Sequence, residues 1–241
     1  MIHVVAGAVT RADGRILIAQ RPPGKHLAGG WEFPGGKLEP GEARAAGLAR
    51  ELREELDITI RDPRPLMRVR HAYPHGEVLI DMWVVTHYLG EPRGLDGQAL
   101  RWCTHEELEA SDLLPADRPI VRALKLPERL TRPDTSHFEV KAWPEVKALL
   151  GVKALRSPPA PVPAPRGGAG GGKLQGVLCS APEDGTSAAG LGADFVVLDR
   201  ELTGAELKGL CDSVCLPVFA RGLRLETAWA LGATGLSELS R

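Results

Sequence analysis

The chain has 241 residues, 43% of them hydrophobic and 25% charged. Those are the proportions of an ordinary globular protein, with room for one large domain or two small ones. A formal net charge of −1 gives no reason to expect a nucleic-acid polymer or an anionic membrane as partner, though a local site for one small anionic molecule is compatible with it. No run approaches the roughly 18 apolar residues of a membrane span.

The opening stretch MIHVVAGAVTRADGR lacks a basic start and a cleavage site, and predicts a first strand rather than a signal peptide. Val4–Val9 and Arg15–Gln20 flank the turn-like Ala12-Asp13-Gly14 and predict a hairpin. A Gly/Pro-rich loop follows from Pro22 to Gly41, then a helix from Glu42 to about Leu56. Leu66–Tyr73, Val78–Tyr88 and the shorter Ala99–Thr104 have the pattern of strands. Helical patterns cover Glu106–Ala110 and Ala116–Leu126. Residues 131–155 are ambiguous, with a helix around Pro144–Leu150 as one option.

Residues 156–172, RSPPAPVPAPRGGAGGG, pair alternating prolines with a glycine run. Neither half can build a core, so this segment reads as a linker. Beyond it, in residues 173–241, Leu174–Cys179, Phe195–Leu198 and Pro217–Ala220 are short apolar runs. Helix-like stretches such as Gly204–Val214 and Leu225–Leu231 separate them. That is a β/α alternation, too short for a complete eight-fold barrel. The four cysteines, Cys103, Cys179, Cys211 and Cys215, have irregular spacing and read as free buried thiols, which fits a reducing cytoplasm. Cys211 and Cys215 are four apart and would share a helix face.

The chemistry concentrates in Gly36–Ile58, GKLEPGEARAAGLARELREELDI. On a helix, Glu51, Glu54 and Glu55 sit at i, i+3 and i+4 and share one face. Three crowded carboxylates repel one another unless a cation neutralises them, and an all-oxygen, highly charged site suits a hard ion such as Mg²⁺ or Mn²⁺. The matching chemistry is metal-assisted attack of water on phosphorus. Taken alone, ELREE also reads as a solvated acidic face interleaved with Arg50 and Arg53.

The surrounding residues decide between these readings. Gly36, Glu42, Arg50, Glu51, Leu52, Glu54, Glu55 and Ile58 resemble the Nudix box, Gly-x5-Glu-x7-Arg-Glu-apolar-x-Glu-Glu-x-Gly-apolar. The resemblance implies an α/β fold, the Nudix α/β/α sandwich, over residues 1–130, followed by the linker and a small partial β/α barrel-like region. It implies that Glu51, Glu54 and Glu55, with the carbonyl of Gly35, hold the metal, Mg²⁺ or alternatively Mn²⁺. Arg50 would orient those carboxylates and Glu42 would brace the loop to the helix. Asp57 stands where the box has a glycine that ends the helix in a left-handed turn. Asp tolerates that conformation better than most residues.

The likeness extends beyond the box. RPPGKHLAGGWEFPGGKLEPGE, GEPRGLDGQ and LPADRPIVRAL resemble the MutT-like 8-oxo-dGTP diphosphatases of this family over about residues 1–126. Those enzymes release pyrophosphate from an oxidised nucleotide and so clean the nucleotide pool, with water attacking the β-phosphorus. Position by position, Arg21 and His26 would contact the nucleotide, and Glu32, Phe33, Pro34 and Gly35 would line the site. Asp96 falls at a loop glutamate that assists the metal or water. Asp117 falls at the asparagine that reads the base. Asn both donates and accepts, whereas a carboxylate donates only when protonated. Asp117 therefore requires a raised pKa or a different base pose.

LGADFVVLDRELT, LPVFARGL and ALGATGLSEL resemble the second half of a thiamine-phosphate synthase (TenI-like) barrel. Arg221-Gly222 replaces the Gly-Gly phosphate turn usual in that family, and half a barrel lacks the full ring of active-site loops. The region reads as a non-catalytic appendage. GGAGGGK at Gly167–Lys173 imitates a phosphate loop but precedes Leu174 and a strand, not Ser/Thr and a helix. The sequence leaves oligomeric state open. It also leaves two alternatives, a Nudix-type hydrolase of another dNTP or nucleoside diphosphate derivative, and a sensor of a nucleotide or thiamine-related ligand on the same scaffold.

Overall fold

The computed structural model describes residues 1–130, 138–142, 173–190 and 193–239. The chain divides into two compact units, Met1–Pro65 with Val69–Val121, and Leu66–Arg68 with Arg122–Arg241. No helix among the described residues is long and apolar enough to cross a membrane.

In the first unit, β1 (Ile2–Val9) runs parallel to β7 (Gly76–Val85), from Ile2 opposite Val78 to Val9 opposite Val85. On its other side β1 pairs antiparallel with β4 (Gly35–Lys37), and β6 (Arg64–Tyr73) completes the sheet in the order β4-β1-β7-β6. A second sheet has the order β3-β2-β9, from Trp31–Glu32, Ile16–Gln20 and Leu100–Cys103. β5 (Thr59–Arg61) pairs with β8 (His87–Leu89).

The expected hairpin at Ala12–Gly14 is present only at its base. Arg11 N–H bonds Arg15 O and Thr10 bridges Ile16, after which β1 and β2 enter different sheets. The region read as one loop, Pro22–Gly41, contains β3 and β4. Those strands are two and three residues long, so backbone pairing sets them rather than any side-chain period.

Helix α1 (Arg44–Leu56) starts two residues later than its pattern suggests, with Glu42 outside it. Leu48, Leu52 and Leu56, at i, i+4 and i+8, are fully buried against Val5, Val9, Leu17, Ile58, Ile60 and Val85. By the per-residue transfer energies of leucines, that stripe is worth several kcal/mol, roughly 2 per side chain. It leaves Glu51, Glu54 and Glu55 directed away from this core. Asp57 ends the helix at φ 58°, ψ 34°, its N–H bonding Arg53 O and Leu52 O, so it takes the left-handed conformation expected of the missing glycine. Helix α2 (His105–Glu109) begins with a Thr104/Glu107 capping box, and α3 (Arg118–Ala123) follows.

The second unit holds an all-parallel sheet of the order β10-β15-β14-β13-β12-β11. Its strands are Arg129–Leu130 (β10), Phe138–Ala142 (β11), Leu174–Cys179 (β12), Phe195–Leu198 (β13), Val218–Ala220 (β14) and Gly235–Ser237 (β15). Between the last four lie α4 (Pro182–Gly190), α5 (Gly204–Ser213) and α6 (Leu225–Ala230). Along β13, Val196 and Leu198 face one core with Leu207, Leu210 and Val218. Phe195 and Val197 face another with Leu130, Leu174 and Phe219. Burial on both faces is the mark of a parallel sheet. β11 lies in the chain read as ambiguous, and β10 in the stretch assigned to the first domain, so the second unit begins earlier than the sequence reading placed it, at Arg122. The linker at 156–172, the option of a helix at 144–150 and the glycines of the phosphate-loop imitation lie outside the described residues. All four cysteines are free, and Cys215 lies past the end of α5 and is half-buried, so it does not share a helix face with Cys211.

Candidate functional site

Arg50 organises the acidic face of α1. Its Nε and Nη2 donate to the two oxygens of Glu42 at 2.9 and 3.0 Å, and Nη2 also donates to Lys37 O at 3.0 Å. Nη1 donates to Glu51 at 2.9 Å and Glu54 at 3.2 Å. The fork geometry of guanidinium makes this possible, and a lysine could not reproduce it. The pairing drives the Arg50 pKa up, and the Arg50 hydrogen bonds pull Glu42 down.

Glu55 stands apart from this network. Its Oε2 accepts the Gly35 N–H at 3.3 Å, and burial, opposed by that bond and aided by Glu51, pushes its pKa up to about 7. Gly35 and Gly36 bring β4 close enough for these contacts. A Cβ on Gly36 would sit 2.1 Å from Glu51 Oε2, and one on Gly35, at φ 152°, 2.1 Å from Val5 O.

The carboxyl-terminal end of α1 is pinned by the loop after β8. Arg93 N–H bonds Leu56 O, Leu95 N–H bonds Glu55 O, and Gln98 Nε2 donates to Glu55 O at 3.1 Å. Gln98 Oε1 in turn accepts from Asp96 N–H at 2.8 Å. Orphan helix carbonyls are thereby satisfied, and Asp96 is set beside Glu55. An open cleft results, lined by Glu32, Phe33, Pro34, Gly35, Glu55 and Asp96 among the expected residues. Lys25 and Gln98 also line it. Neither is a residue the spacing of the box singles out, although both lie in stretches that carry the resemblance.

Of the other expected residues, Arg21, His26, Arg50, Glu51, Glu54 and Asp117 are not among those that line it. Arg21 Nε lies 2.8 Å from both oxygens of Glu32, and its Nη1 donates to His26 O at 2.7 Å. Its guanidinium is thus engaged with the protein. His26 packs edge-on to His75, ring centroids 3.9 Å apart, near Tyr73. Trp31 is stacked under Arg101 at 4.3 Å. Asp117 is 4% exposed, accepts from the Phe33 backbone and lies near Glu32. Burial, then the Glu32 charge, pushes its pKa well above the carboxylate range. Of the two options the sequence leaves for Asp117, a raised pKa or a different base pose, this environment acts toward the first.

The donors fit a hard divalent cation in kind. Glu51, Glu54 and Glu55 offer carboxylate oxygens only, and the Arg50 charge already sits between two of them. With Arg50 interposed, they are not drawn into a closed cage, and no group of three His, Cys, Asp or Glu among the described residues is placed as one. Glu54 is the most exposed of the three, its side chain 60% exposed.

A hydrolase of the Nudix type is what this combination of helix, glycine strand and cleft defines. A family model described as NUDIX domain matches residues 5–123, and the chain belongs to that family. It is 41% identical over 123 residues to the CTP pyrophosphohydrolase of Escherichia coli (strain K12), covering 51% of this chain and 90% of that one. It is 32% identical over 124 residues to the 8-oxo-dGTP diphosphatase of the same organism, covering 52% of this chain and 96% of that one. The 8-oxo-dGTP diphosphatase of Haemophilus influenzae is 33% identical over 124 residues, 52% of this chain and 91% of that one. Nudix hydrolases generally use divalent metal ions.

Proposed function

We propose that the protein is a Mg²⁺-dependent nucleoside triphosphate pyrophosphohydrolase, with 8-oxo-dGTP as substrate and 8-oxo-dGMP and pyrophosphate as products. The observation that carries the reading is the α1 acidic face beside Gly35 at the end of an acid-lined cleft. Glu51, Glu54, Glu55 and the Gly35 carbonyl would hold the metal, with Mn²⁺ as the alternative ion. When bound, the ion supplies charge neutralisation and Lewis-acid polarisation of the phosphoryl oxygens.

The chain's own residues do the rest. Arg50 fixes two of the three carboxylates, so that little reorganisation remains for the reaction. Glu55 and Asp96, which line the cleft together, would orient an attacking water and take its proton. Glu32, Phe33 and Pro34 shape the cleft, and Arg21 holds Glu32 and the loop bearing His26 in place. Water attack on the β-phosphorus breaks the bond to the α-phosphate oxygen, which leaves on the monophosphate.

Asp117 supports a second reading of the base. A protonated carboxyl presents O–H and C=O side by side. That pair meets O6 and N7–H of 8-oxoguanine, and equally N3 and the N4 amino group of cytosine. The likeness to a CTP pyrophosphohydrolase adds weight to the cytosine alternative. The C-terminal unit we read as a non-catalytic remnant of a TenI-like barrel, on its quoted motifs and parallel β/α order. The test is pyrophosphate release with Mg²⁺ from 8-oxo-dGTP, dGTP and CTP. A preference for 8-oxo-dGTP over dGTP supports the first reading, a preference for CTP the second, and no release from any of them leaves the family's hydrolase chemistry standing and turns the search to other nucleoside diphosphate derivatives.

A further inference from the structure

Of the described side chains lining the cleft, Glu32, Glu55 and Asp96 are acidic and Lys25 alone is basic. Lys25 lies in the loop after β2. That loop is fixed by its own backbone, with Gly29 N–H on Arg21 O, Gly30 N–H on Leu27 O, and Leu27 itself at φ 58°. From this loop the Lys25 ammonium reaches Asp96 Oδ2 at 3.5 Å, on the loop pinned to the end of α1. Both side chains are about half exposed, 52% and 51%.

An ion pair of that exposure and length contributes little to stability, so holding the fold together does not account for it. Its charge nevertheless acts on the whole acidic wall, offsetting part of the burial penalty of both Glu32 and Glu55. A triphosphate entering this cleft carries several negative charges toward three carboxylates. A flexible point cation with three donors is the group that meets such charges at small rearrangement.

We infer that Lys25 is a substrate-binding residue that exchanges partners, held by Asp96 in the free enzyme and moving to a phosphate oxygen of the pyrophosphate moiety when the nucleotide binds. The exchange leaves the Asp96 carboxylate unpaired in the cleft at the moment substrate arrives. The weak, exposed pair is suited to this because it breaks easily, while the dense charge of a pyrophosphate group outcompetes a single carboxylate. The inference rests on the pyrophosphohydrolase reading.

The experiment uses the full chain and inorganic pyrophosphate as probe, titrated by calorimetry with and without Mg²⁺, alongside steady-state kinetics. Lys25→Met is expected to weaken pyrophosphate and raise KM by about tenfold, with kcat within about twofold, because a bond to a charged group is lost. Lys25→Arg should restore most of the affinity. Asp96→Asn, which removes the competitor, should bind pyrophosphate at least as tightly as the unmodified enzyme. Unchanged pyrophosphate affinity in Lys25→Met overturns the inference. So does a fall in kcat with affinity kept, which would make Lys25 only a prop for Asp96, and so does a loss in Asp96→Asn equal to that in Lys25→Met. If the unmodified protein binds pyrophosphate but hydrolyses no nucleotide, the functional reading fails and the Lys25 exchange is decided by the binding data alone.

Discussion

Two adjacent glycines should respond to the same substitution in opposite ways. Gly35→Ala places a Cβ 2.1 Å from Val5 O and 2.7 Å from Ala6 Cα, both backbone atoms of the central strand β1. Neither can move without disturbing the pairing of Val5 with Gly36 and Ala6 with Gly35. The position also has φ 152°, which an L side chain rarely adopts. Strain of about 1–3 kcal/mol and overpacking of about 1–3 kcal/mol give a cost of about 2–6 kcal/mol. That is a large part of a typical domain's stability, and a drop in Tm of roughly 10 °C. Gly36→Ala instead directs its Cβ at Glu51 Oε2, 2.1 Å away, and at Glu51 Cδ, 2.3 Å away. These atoms end a flexible side chain, so the backbone can stay and the carboxylate moves. Stability should change by less than about 1 kcal/mol, while displacement of one carboxylate by about 1 Å should cost about 100-fold in kcat/KM. Urea unfolding followed by circular dichroism, with pyrophosphate release on the same samples, separates the two effects. Equal destabilisation by both substitutions, or normal kinetics for Gly36→Ala, would refute the placement of β4 against α1.

Glu54→Gln should lower kcat by at least about 100-fold with nucleotide binding retained, measured by calorimetry, since the change removes a charge and leaves the fold alone; undiminished turnover would remove Glu54 from the metal site. Glu55 supplies a pH signature. Its folded-state pKa is raised from 4.5 to about 7, so the Glu55 contribution to the stability of the metal-free protein is full below about pH 4.5 and is lost as pH rises through 7. The loss is at most about 3 kcal/mol. Thermal melts of Glu55→Gln, or of the Mg²⁺-loaded protein, should lack that slope, and an identical slope in Glu55→Gln would contradict the assignment. Asp117→Asn removes the need to bury a carboxyl un-ionised, so it should raise Tm at neutral pH and not below the unfolded pKa of Asp, near 4. In nucleotide assays Asp117→Asn should retain the preferred substrate, because the amide donates and accepts without protonation, whereas Asp117→Ala, which removes the pair, should raise KM by about tenfold. An unchanged KM in Asp117→Ala would separate Asp117 from the base.

What the sequence revealed about this site followed the reach of its signals. Helix α1 was legible because its leucines repeat at i, i+4 and i+8 and its acids at i, i+3 and i+4, both short-range patterns. Asp57 was legible because it stands at the box position whose glycine closes the helix in a left-handed turn. β3 and β4 were not, because a two- or three-residue strand has no period to read and exists through pairing with distant backbone. The ambiguity at residues 131–155 has the same origin, since β11 is defined by its register with β12. The contact of Lys25 with Asp96 joins residues 71 positions apart and leaves no local trace. For Asp117 the sequence left a raised pKa and a different base pose side by side, and its burial beside Phe33 and Glu32, which pushes the pKa up, arises from packing that no local pattern displays.

The strand order of the second sheet carries a consequence for biosynthesis. β10, its earliest strand, pairs with β15, its latest, through Arg129 opposite Leu236 and Leu130 opposite Ser237. The sheet therefore cannot be finished until synthesis has passed residue 237, whereas the elements around the cleft are all made by residue 123. On the ribosome the hydrolase unit can fold while β10 and β11 are still without their neighbours, and long-range parallel pairing is the slow step. A chain stopped between residues 142 and 174 would keep those two strands with nothing to pair them, two bare edges attached to an otherwise folded enzyme.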